Sequence, residues 1–289
     1  MTEPGLVVVD KAGGMTSHDV VARVRRLAGT RKVGHAGTLD PMATGVLVLG
    51  VDRATRLLGH LMLTEKAYDA TVRLGASTDT DDAEGETLAT TAAGHLDDEE
   101  VRRAFAGQVG DIQQVPTAVS AIKVGGKRAY ALARAGESVE LAPRPVTVHD
   151  LTVHEIRRHG DTVDVDVSVR CSSGTYVRAI ARDVGDALGV GGHLTALRRT
   201  AVGPYGLDGA RTLEELGEAF TLLPIAVAAR AAFPAYDLDE EQAADVRVGR
   251  RLTLELEGLT AVFAPDGAFL ALYEPGGVAS VARPVAVFV

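Results

Sequence analysis

Residues 34–50, GHAGTLDPMATGVLVLG, place a single acid between a glycine-containing loop and an apolar run. Pro41 fixes its own φ and biases the preceding residue, Asp40, toward an extended conformation. Gly34 and Gly37 permit a positive φ or the close approach of a partner. A carboxylate on such a stiff loop, at the edge of a predicted buried strand, can act as a nucleophile or as a general base. The alternative is a structural acid that caps a turn, since aspartate before proline is common in turns, and the loop alone leaves both interpretations open.

A second group of candidate residues lies in residues 66–86, KAYDATVRLGASTDTDDAEGE. Tyr68, on a predicted strand, can stack on a nucleobase and offer a hydroxyl, although a tyrosine in such a pattern usually packs in the core. Asp79, Asp81 and Asp82 lack the spacing of a calcium-binding loop, and the histidines lack the spacing of a zinc site. The sequence therefore predicts no metal site.

A third group lies in residues 169–185, VRCSSGTYVRAIARDVG, where a serine–glycine turn leads into a predicted helix. Arg178 in the first turn of that helix can pair bidentately with a buried carboxylate and keep it ionised, whereas a lone arginine there usually lies on the surface. Cys171 is the single cysteine, so it forms no internal disulfide. We expect it to be a small packed residue rather than a nucleophile, in a reducing compartment.

Hydrophobic periodicity and turn residues indicate the elements that position these groups. Thr16 and Ser17 are suited to cap a helix that ends near residue 27. The other predicted helices cover residues 97–105, 175–188 and 213–220, with a further short helix in the middle of residues 116–148. The predicted strands cover residues 6–9, 46–49, 66–74, 151–156 and 163–170, followed by a β-rich terminal region with strands at 252–256, 260–263, 269–273 and 285–289.

Taken together, these blocks resemble the signature of the TruB-type tRNA pseudouridine synthases. The resemblance rests on GHxGxLDPxAxGxL, on Y-x5-L-G-x2-T-D-T-x-D-x2-G, on C-S-x-G-T-Y-x-R and on LRRTAVGPY, and the N-terminal VVDKAGGMTSHDVV also matches. These blocks follow one another in the family's order over residues 6–205. By this resemblance Asp40 corresponds to the catalytic aspartate, Arg178 to its partner and Tyr68 to the aromatic residue that stacks on the target uracil. The remaining substrate-site residues that it implies are His35, Tyr176, Leu197 and Lys11.

The resemblance implies an isomerase that converts uridine 55 in the T loop of tRNA to pseudouridine without a cofactor. The glycosidic bond to nitrogen is broken, and the base rotates and is rejoined through carbon. Asp40 would attack the uracil ring, attack the sugar C1′ or abstract a proton, and the sequence leaves these three routes open. Because the target base lies inside a folded RNA, it must be flipped out and stacked on an aromatic side chain.

The fold that the resemblance implies is α+β, with a mixed, largely antiparallel central sheet, flanking helices and a small β-rich C-terminal domain. We expect a catalytic domain over residues 1–230 and a PUA-like RNA-binding domain over residues 233–289. An RNA-gripping insertion at about 116–148 would contact the RNA backbone through Lys123, Lys127 and Arg128.

The charge distribution is compatible with an RNA partner. The chain of 289 residues has a net charge of −9, which by itself argues against nucleic acid binding. However, residues 1–60 have a net charge of +3 and residues 121–210 of +2, and the acidic residues are concentrated elsewhere. The acidic C-terminal segment is expected to bind RNA weakly.

The chain contains neither an apolar stretch of 18 residues nor a signal-peptide pattern, and we expect a cytoplasmic monomer with no membrane contact and no obligatory protein partner. Two alternatives remain. One is a subunit of a guide-RNA-dependent pseudouridine synthase, and the other is a catalytically idle tRNA-binding or folding factor.

Overall fold

The computed structural model describes residues 3–117, 123–124, 127–128, 141–277 and 280–289, with the backbone alone at 123–124 and 127–128. The helices in this part of the chain are α1 (Ser17–Leu27), α2 (Leu58–Leu61), α3 (Asp98–Ala106), α4 (Val177–Ala187), α5 (Leu213–Glu218), α6 (Ile225–Ala232) and α7 (Glu240–Arg247), with 3-10 helices at Asp52–Arg56 and Leu207–Gly209. None of these helices is long and apolar enough to cross a membrane.

The strands in the same ranges are β1 (Gly5–Lys11), β2 (Val33–His35), β3 (Thr44–Val51), β4 (Lys66–Leu74), β5 (Ala76–Thr78), β6 (Thr87–Thr90), β7 (Gly110–Gln114), β8 (Lys123–Val124), β9 (Lys127–Arg128), β10 (Arg144–His159), β11 (Thr162–Cys171), β12 (Gly192–Val202), β13 (Tyr205–Gly206), β14 (Leu223–Pro224), β15 (Ala235–Asp237), β16 (Thr260–Phe263), β17 (Phe269–Pro275) and β18 (Ala282–Val287). The α+β class with a mixed, largely antiparallel sheet and a small C-terminal sheet is thereby confirmed.

The chain forms two compact units. The terminal unit comprises residues 1–40, 46–62 and 202–289, and the central unit comprises residues 41–45 and 63–201. The predicted boundary near residue 230 is a different kind of division, placed where predicted helices give way to short strands, and it stays a prediction.

In the terminal unit, β1 lies between β3 and β14, and β2 pairs with β3 in antiparallel register. Helix α1 begins after Thr16, whose side chain accepts from the amide of Asp19 while the Asp19 carboxylate accepts from the amide of Thr16. This capping box satisfies two otherwise unpaired amides. The Thr16 hydroxyl also donates to the Asp19 carboxylate at 2.7 Å, and this bond, followed by the one from the Thr16 amide, lowers the pKa of Asp19. The helix buries Val20, Val21 and Val24, so the predicted helix with its cap is confirmed.

The C-terminal part of the terminal unit contains the sheet β15–β16–β17–β18. The predicted strand over residues 252–256 is wrong, because only Leu252 forms a bridge, to Ala282. The alternating leucines there reflect burial against a core rather than pairing along a sheet edge, since Leu252 and Leu254 are both buried. Helix α7 is absent from the sequence-based prediction, although Asp239 and Gln242 form a capping box that is visible in the sequence.

In the central unit, the strand order is β12–β4–β11–β10–β7. Strand β4 has the predicted bounds and pairs with β11 from Lys66 opposite Cys171 to Leu74 opposite Val163. Residues 144–148, at the end of the predicted insertion, form the start of β10 instead, because they pair with β7 over its whole length. The helix expected in the middle of the insertion lies outside the described residues.

Candidate active site

The loop that carries Asp40 is fixed on its N-terminal side by Ser17, the first residue of α1. The buried Ser17 hydroxyl donates to the carbonyl oxygen of Leu39 at 3.1 Å and accepts from the amide of Leu39 at 2.9 Å. Both polar groups of the residue before Asp40 are therefore held by one side chain. Asp40 itself is half-buried, as suits an acid that must be both positioned and reachable. Ser17 was not among the predicted site residues, because its position in a helix cap explained it.

Two features upstream in the same loop match the expectations for its glycines. Gly37 has a φ of +89°, which favours glycine, and a Cβ at Gly34 would lie 3.2 Å from Cδ1 of Leu58.

His35 pairs with Leu49 in the β2–β3 ladder, and its ring meets that of His18 edge to face at 5.7 Å between centroids. The histidine ring is thus oriented by a strand and an aromatic neighbour.

Lys11 is completely buried at the end of β1. Its Nζ donates to the carbonyl oxygens of Ala12 at 2.9 Å and Met15 at 2.8 Å. The lysine therefore anchors the turn that leads into the cap of α1, and through α1 it supports the helix end that holds Leu39.

On the C-terminal side of Asp40, the chain is fixed within the central unit. Thr44 and Gly45 pair in parallel with Arg198 and Arg199 of β12, and Arg198 donates to the Thr44 hydroxyl at 3.3 Å. Gly45 has a φ of +99°, and a Cβ there would lie 2.2 Å from the carbonyl oxygen of Arg199. A larger residue at Gly45 would displace this end of the loop.

Leu197 and Tyr68 lie on neighbouring strands of the central unit. Leu197 is buried on β12, next to the residues that hold Thr44 and Gly45. Tyr68 is half-buried on β4, opposite Val169 of β11. An apolar wall and a partly exposed aromatic face are the groups that a flipped base requires.

Arg178 is buried in the first turn of α4, and its ion-pair partner within the central unit is Asp82. The Arg178 Nη1 atom lies 3.4 Å from Oδ2 of Asp82 and donates to the carbonyl oxygen of Thr80 at 2.8 Å. Both side chains are only 5% exposed. A buried guanidinium requires such compensation, because an uncompensated buried charge is costly.

The loop around Asp82 is ordered by its own hydrogen bonds. The Asp82 carboxylate accepts from the Thr80 hydroxyl at 2.5 Å and from the amide of Glu84 at 3.1 Å. Next to it, burial raises the pKa of Asp81 to about 6, while Arg182 at 3.2 Å opposes the shift. Sequence reasoning rejected these acids as calcium ligands and did not consider Asp82 as a partner of Arg178. It did predict a buried carboxylate beside Arg178, but no local signal identifies Asp82 as that carboxylate.

Tyr176 is placed by Gln114, a buried residue at the end of β7. The Gln114 side chain accepts from the amide of Tyr176 at 2.8 Å and donates to its carbonyl oxygen at 3.1 Å. Tyr176 has the extended backbone of a helix N-cap, so α4 begins at Val177 and not at residue 175 as predicted. The two amide–backbone bonds explain why the residue stays outside the helix.

The predicted site residues fall on both units. Lys11, His35 and Asp40 belong to the terminal unit, and Tyr68, Tyr176, Arg178 and Leu197 belong to the central unit. The pairing of Asp40 with Arg178 stays a prediction. The side chains of Lys123, Lys127 and Arg128 lie outside the described residues. Among the residues that are described, no three histidine, cysteine or acidic side chains are grouped as metal ligands.

Cys171 is 1% exposed, and burial raises the pKa of its thiol to about 11. The protonated thiol is a poor nucleophile, which agrees with its prediction as a packed residue. Nearby, burial and the charge of Arg199 lower the pKa of Lys66 to about 8.

We expect the replacement Lys66→Met to stabilise the protein at pH 7, by at most about 3 kcal/mol, because the fold disfavours the charged ammonium. Between pH 8 and 10.5 Lys66 is protonated in the unfolded chain but not in the folded chain, so the free energy of unfolding of the wild type increases as the pH rises. The stability difference between the variant and the wild type should therefore vanish by pH 10.5. Urea unfolding at several pH values measures this. The exposed Lys32→Met is the control, and a difference that does not depend on pH would contradict the assignment.

The chain matches three family descriptions over most of its length. Residues 25–177 match the TruB family pseudouridylate synthase N-terminal domain, residues 178–225 the tRNA pseudouridylate synthase B C-terminal domain, and residues 233–289 the C-terminal domain of tRNA pseudouridine synthase II.

Similar full-length proteins include tRNA pseudouridine synthase B of Thermobifida fusca, 59% identical with 98% of each chain covered. The enzyme of the same name from Arthrobacter sp. (strain FB24) is 57% identical over 98% of this chain and 96% of its own. Among solved structures, a Cbf5–Nop10–Gar1 complex matches with a TM-score of 0.77 and 25% identity, over 99% of this chain and 85% of that one.

The fold is thus that of a pseudouridylate synthase. Identities of this size over nearly the whole chain show more than a shared fold. The chain belongs to the TruB family.

Proposed function

We propose that this protein isomerises uridine 55 in the T loop of tRNA to pseudouridine, with Asp40 as the catalytic aspartate. The observation that carries the proposal is the fixation of the Asp40 loop from both sides, by Ser17 at Leu39 and by β12 at Thr44 and Gly45. A reacting carboxylate gains most from such positioning, because its approach to the target atom then costs little entropy. The relatives named tRNA pseudouridine synthase B support tRNA as the substrate.

In the proposed reaction the uridine leaves the RNA stack and its uracil stacks on Tyr68. Leu197 supplies an apolar wall, and Tyr176 and His35 line the substrate site. Arg178 orients the Asp40 carboxylate when RNA is bound, and Lys11 supports the loop from beneath. The glycosidic C1′–N1 bond breaks and a C1′–C5 bond forms within the same nucleotide, while C5 loses its proton and N1 gains one, so the atoms balance without a cofactor.

The proposed enzyme acts alone in the cytoplasm as a monomer, without a guide RNA or an obligatory protein partner. Residues 1–230 form its catalytic part, and residues 233–289 form a PUA-like domain whose acidic character makes its RNA contact weak. The solved relatives in Cbf5–Nop10 complexes make the guide-dependent alternative worth testing directly.

The test uses purified protein and an unmodified tRNA transcript, with nothing else added. Pseudouridine at position 55 supports the proposal. Product that requires an added guide RNA would favour the guide-dependent subunit, and tight binding without product would favour the folding factor. A transcript with cytidine at position 55 is the matched control for the modified nucleotide.

The insertion is proposed to hold the RNA backbone through Lys123, Lys127 and Arg128. Replacing all three with alanine should weaken tRNA binding and lower its salt dependence, because a phosphate that the protein does not neutralise keeps its counterions. Affinity measured across a salt series gives the slope. A slope equal to that of the wild type would remove these three residues from the interface.

A further inference from the structure

A concentration of arginines in the terminal unit takes no part in the site described above. Residues 20–60 contain seven basic residues and only two acids, Asp40 and Asp52, in a chain whose net charge is −9. Six of the seven are arginines, and we call them the arginine surface: Arg23, Arg25, Arg26, Arg31, Arg53 and Arg56.

Three of these arginines point into solvent without internal partners. Arg23 and Arg26 lie three residues apart on α1, and therefore on one face, while the opposite face is buried through its valines. Arg31 follows in the loop after the helix. All three are exposed, and their side chains make no hydrogen bond or ion pair with any residue that the structure describes.

The other three are held by carbonyl oxygens instead of carboxylates. Arg25 donates to Val33 at 3.2 Å, Arg53 to Phe288 at 3.1 Å and Arg56 to Val287 at 3.0 Å. These bonds orient the guanidinium groups but leave their charges uncompensated. Helix α1, the following loop and the 3-10 helix of Arg53 and Arg56 are joined by further bonds between Lys32 and Asp52.

Several other exposed arginines pair with carboxylates, although Arg103, Arg247 and Arg251 have no ion pair with a described residue, so the informative feature of the arginine surface is its concentration of such groups. Arg230, Arg250 and Arg283 each pair with a carboxylate, those of Asp237, Asp245 and Glu274. An acidic chain could neutralise the arginine surface in the same way, yet six guanidinium groups there have no carboxylate partner among the described residues. Such a surface suits an anion from outside the protein.

We propose that the arginine surface is a second RNA-backbone interface, which binds phosphates without regard to base sequence. Guanidinium groups match phosphate oxygens bidentately, and several cations spread over a helix, a loop and a 3-10 helix suit a repeating polyanion. That the RNA is tRNA rests on the proposed function.

The test replaces Arg23, Arg26 and Arg31 with glutamine, since these side chains support nothing internally. The matched control replaces Arg102, Arg103 and Arg158, three exposed arginines on or beside the acid-rich helix α3, with glutamine and so changes the net charge equally. Affinity for an unmodified tRNA transcript is measured across a salt series. The slope of log affinity against log salt should fall by about 0.7 to 0.9 for each phosphate that the variant fails to neutralise, and the control should keep the wild-type slope.

A wild-type slope in the Arg23/Arg26/Arg31 variant would overturn the proposal, as would an equal loss in the control. If the variant instead lost binding to phosphatidylglycerol vesicles while keeping its tRNA slope, the surface would be a membrane contact. The outcome is separable from the proposed function. If the wild type forms pseudouridine but the variant keeps the wild-type salt slope, only the proposed arginine interface is contradicted. If the variant has a lower salt slope but the wild type forms no pseudouridine, only the proposed enzymatic function is contradicted.

Discussion

Asp40→Asn is expected to abolish pseudouridine formation while leaving tRNA affinity within about tenfold of the wild type, or about 1.4 kcal/mol. The amide is nearly isosteric, so the loop should keep its bonds from Ser17 to Leu39 and from Arg198 to Thr44. The substitution removes the charge and basicity that each of the three routes for Asp40 requires. We expect the single-turnover rate at saturating tRNA to fall by at least about a thousandfold.

The matched control for this prediction is Asp208→Asn, which removes the charge of an exposed acid in the same unit. It should leave both rate and affinity unchanged. Turnover by Asp40→Asn near the wild-type rate would exclude Asp40 as the catalytic residue. A loss of affinity much beyond tenfold would show that the acid mainly organises the RNA-binding surface.

Replacing Arg178 with lysine is the second change with a large expected effect. Lysine keeps the charge but presents one ammonium instead of a planar fork, so it cannot bind Asp82, the Thr80 carbonyl and a further carboxylate in the same geometry. We expect activity to fall by about a hundredfold or more, with tRNA affinity little changed. Arg178→Met should in addition destabilise the fold by about 3–5 kcal/mol, because it leaves the buried Asp82 unpaired.

The variant Arg182→Lys separates this role from general damage to α4. Arg182 lies one turn along the helix, is more exposed, and pairs with Asp81 and Asp183. It should cost little activity. If Arg178→Lys retained full activity at every pH tested, the arginine would be only a structural partner of Asp82. The proposal that it orients Asp40 would then be contradicted.

The parts of the fold that were predictable from the sequence are those with local causes. The cap at Thr16, the alternation from Lys66 to Leu74 and the acid-started helix α3 each depend on residues within one element. The loop containing Asp40 was visible because proline and glycine restrict or free the backbone wherever they occur. These signals do not depend on the rest of the chain.

The features that the sequence did not predict have causes that lie far away along the chain. Arg178 and Asp82 are separated by 96 positions, and nothing in the local pattern of either residue identifies the other. The same holds for Ser17 and Leu39, and for Gln114 and Tyr176. The strand predicted over residues 252–256 is wrong for the opposite reason. The alternating leucines suggested a strand, but among the described residues this segment forms only one bridge, from Leu252 to Ala282.

The reciprocal bonds between Ser17 and Leu39 have a thermodynamic consequence for the catalytic cycle. The conformational entropy of ordering the Asp40 loop is lost when the chain folds. It is therefore not lost again each time a substrate binds. Such a loop also adapts little to an incorrect nucleotide. Selectivity would then come from rejection of RNAs that fail to present their base to a stationary acid, and a loosened loop, as in Ser17→Ala, should accept more substrates while acting on each more slowly.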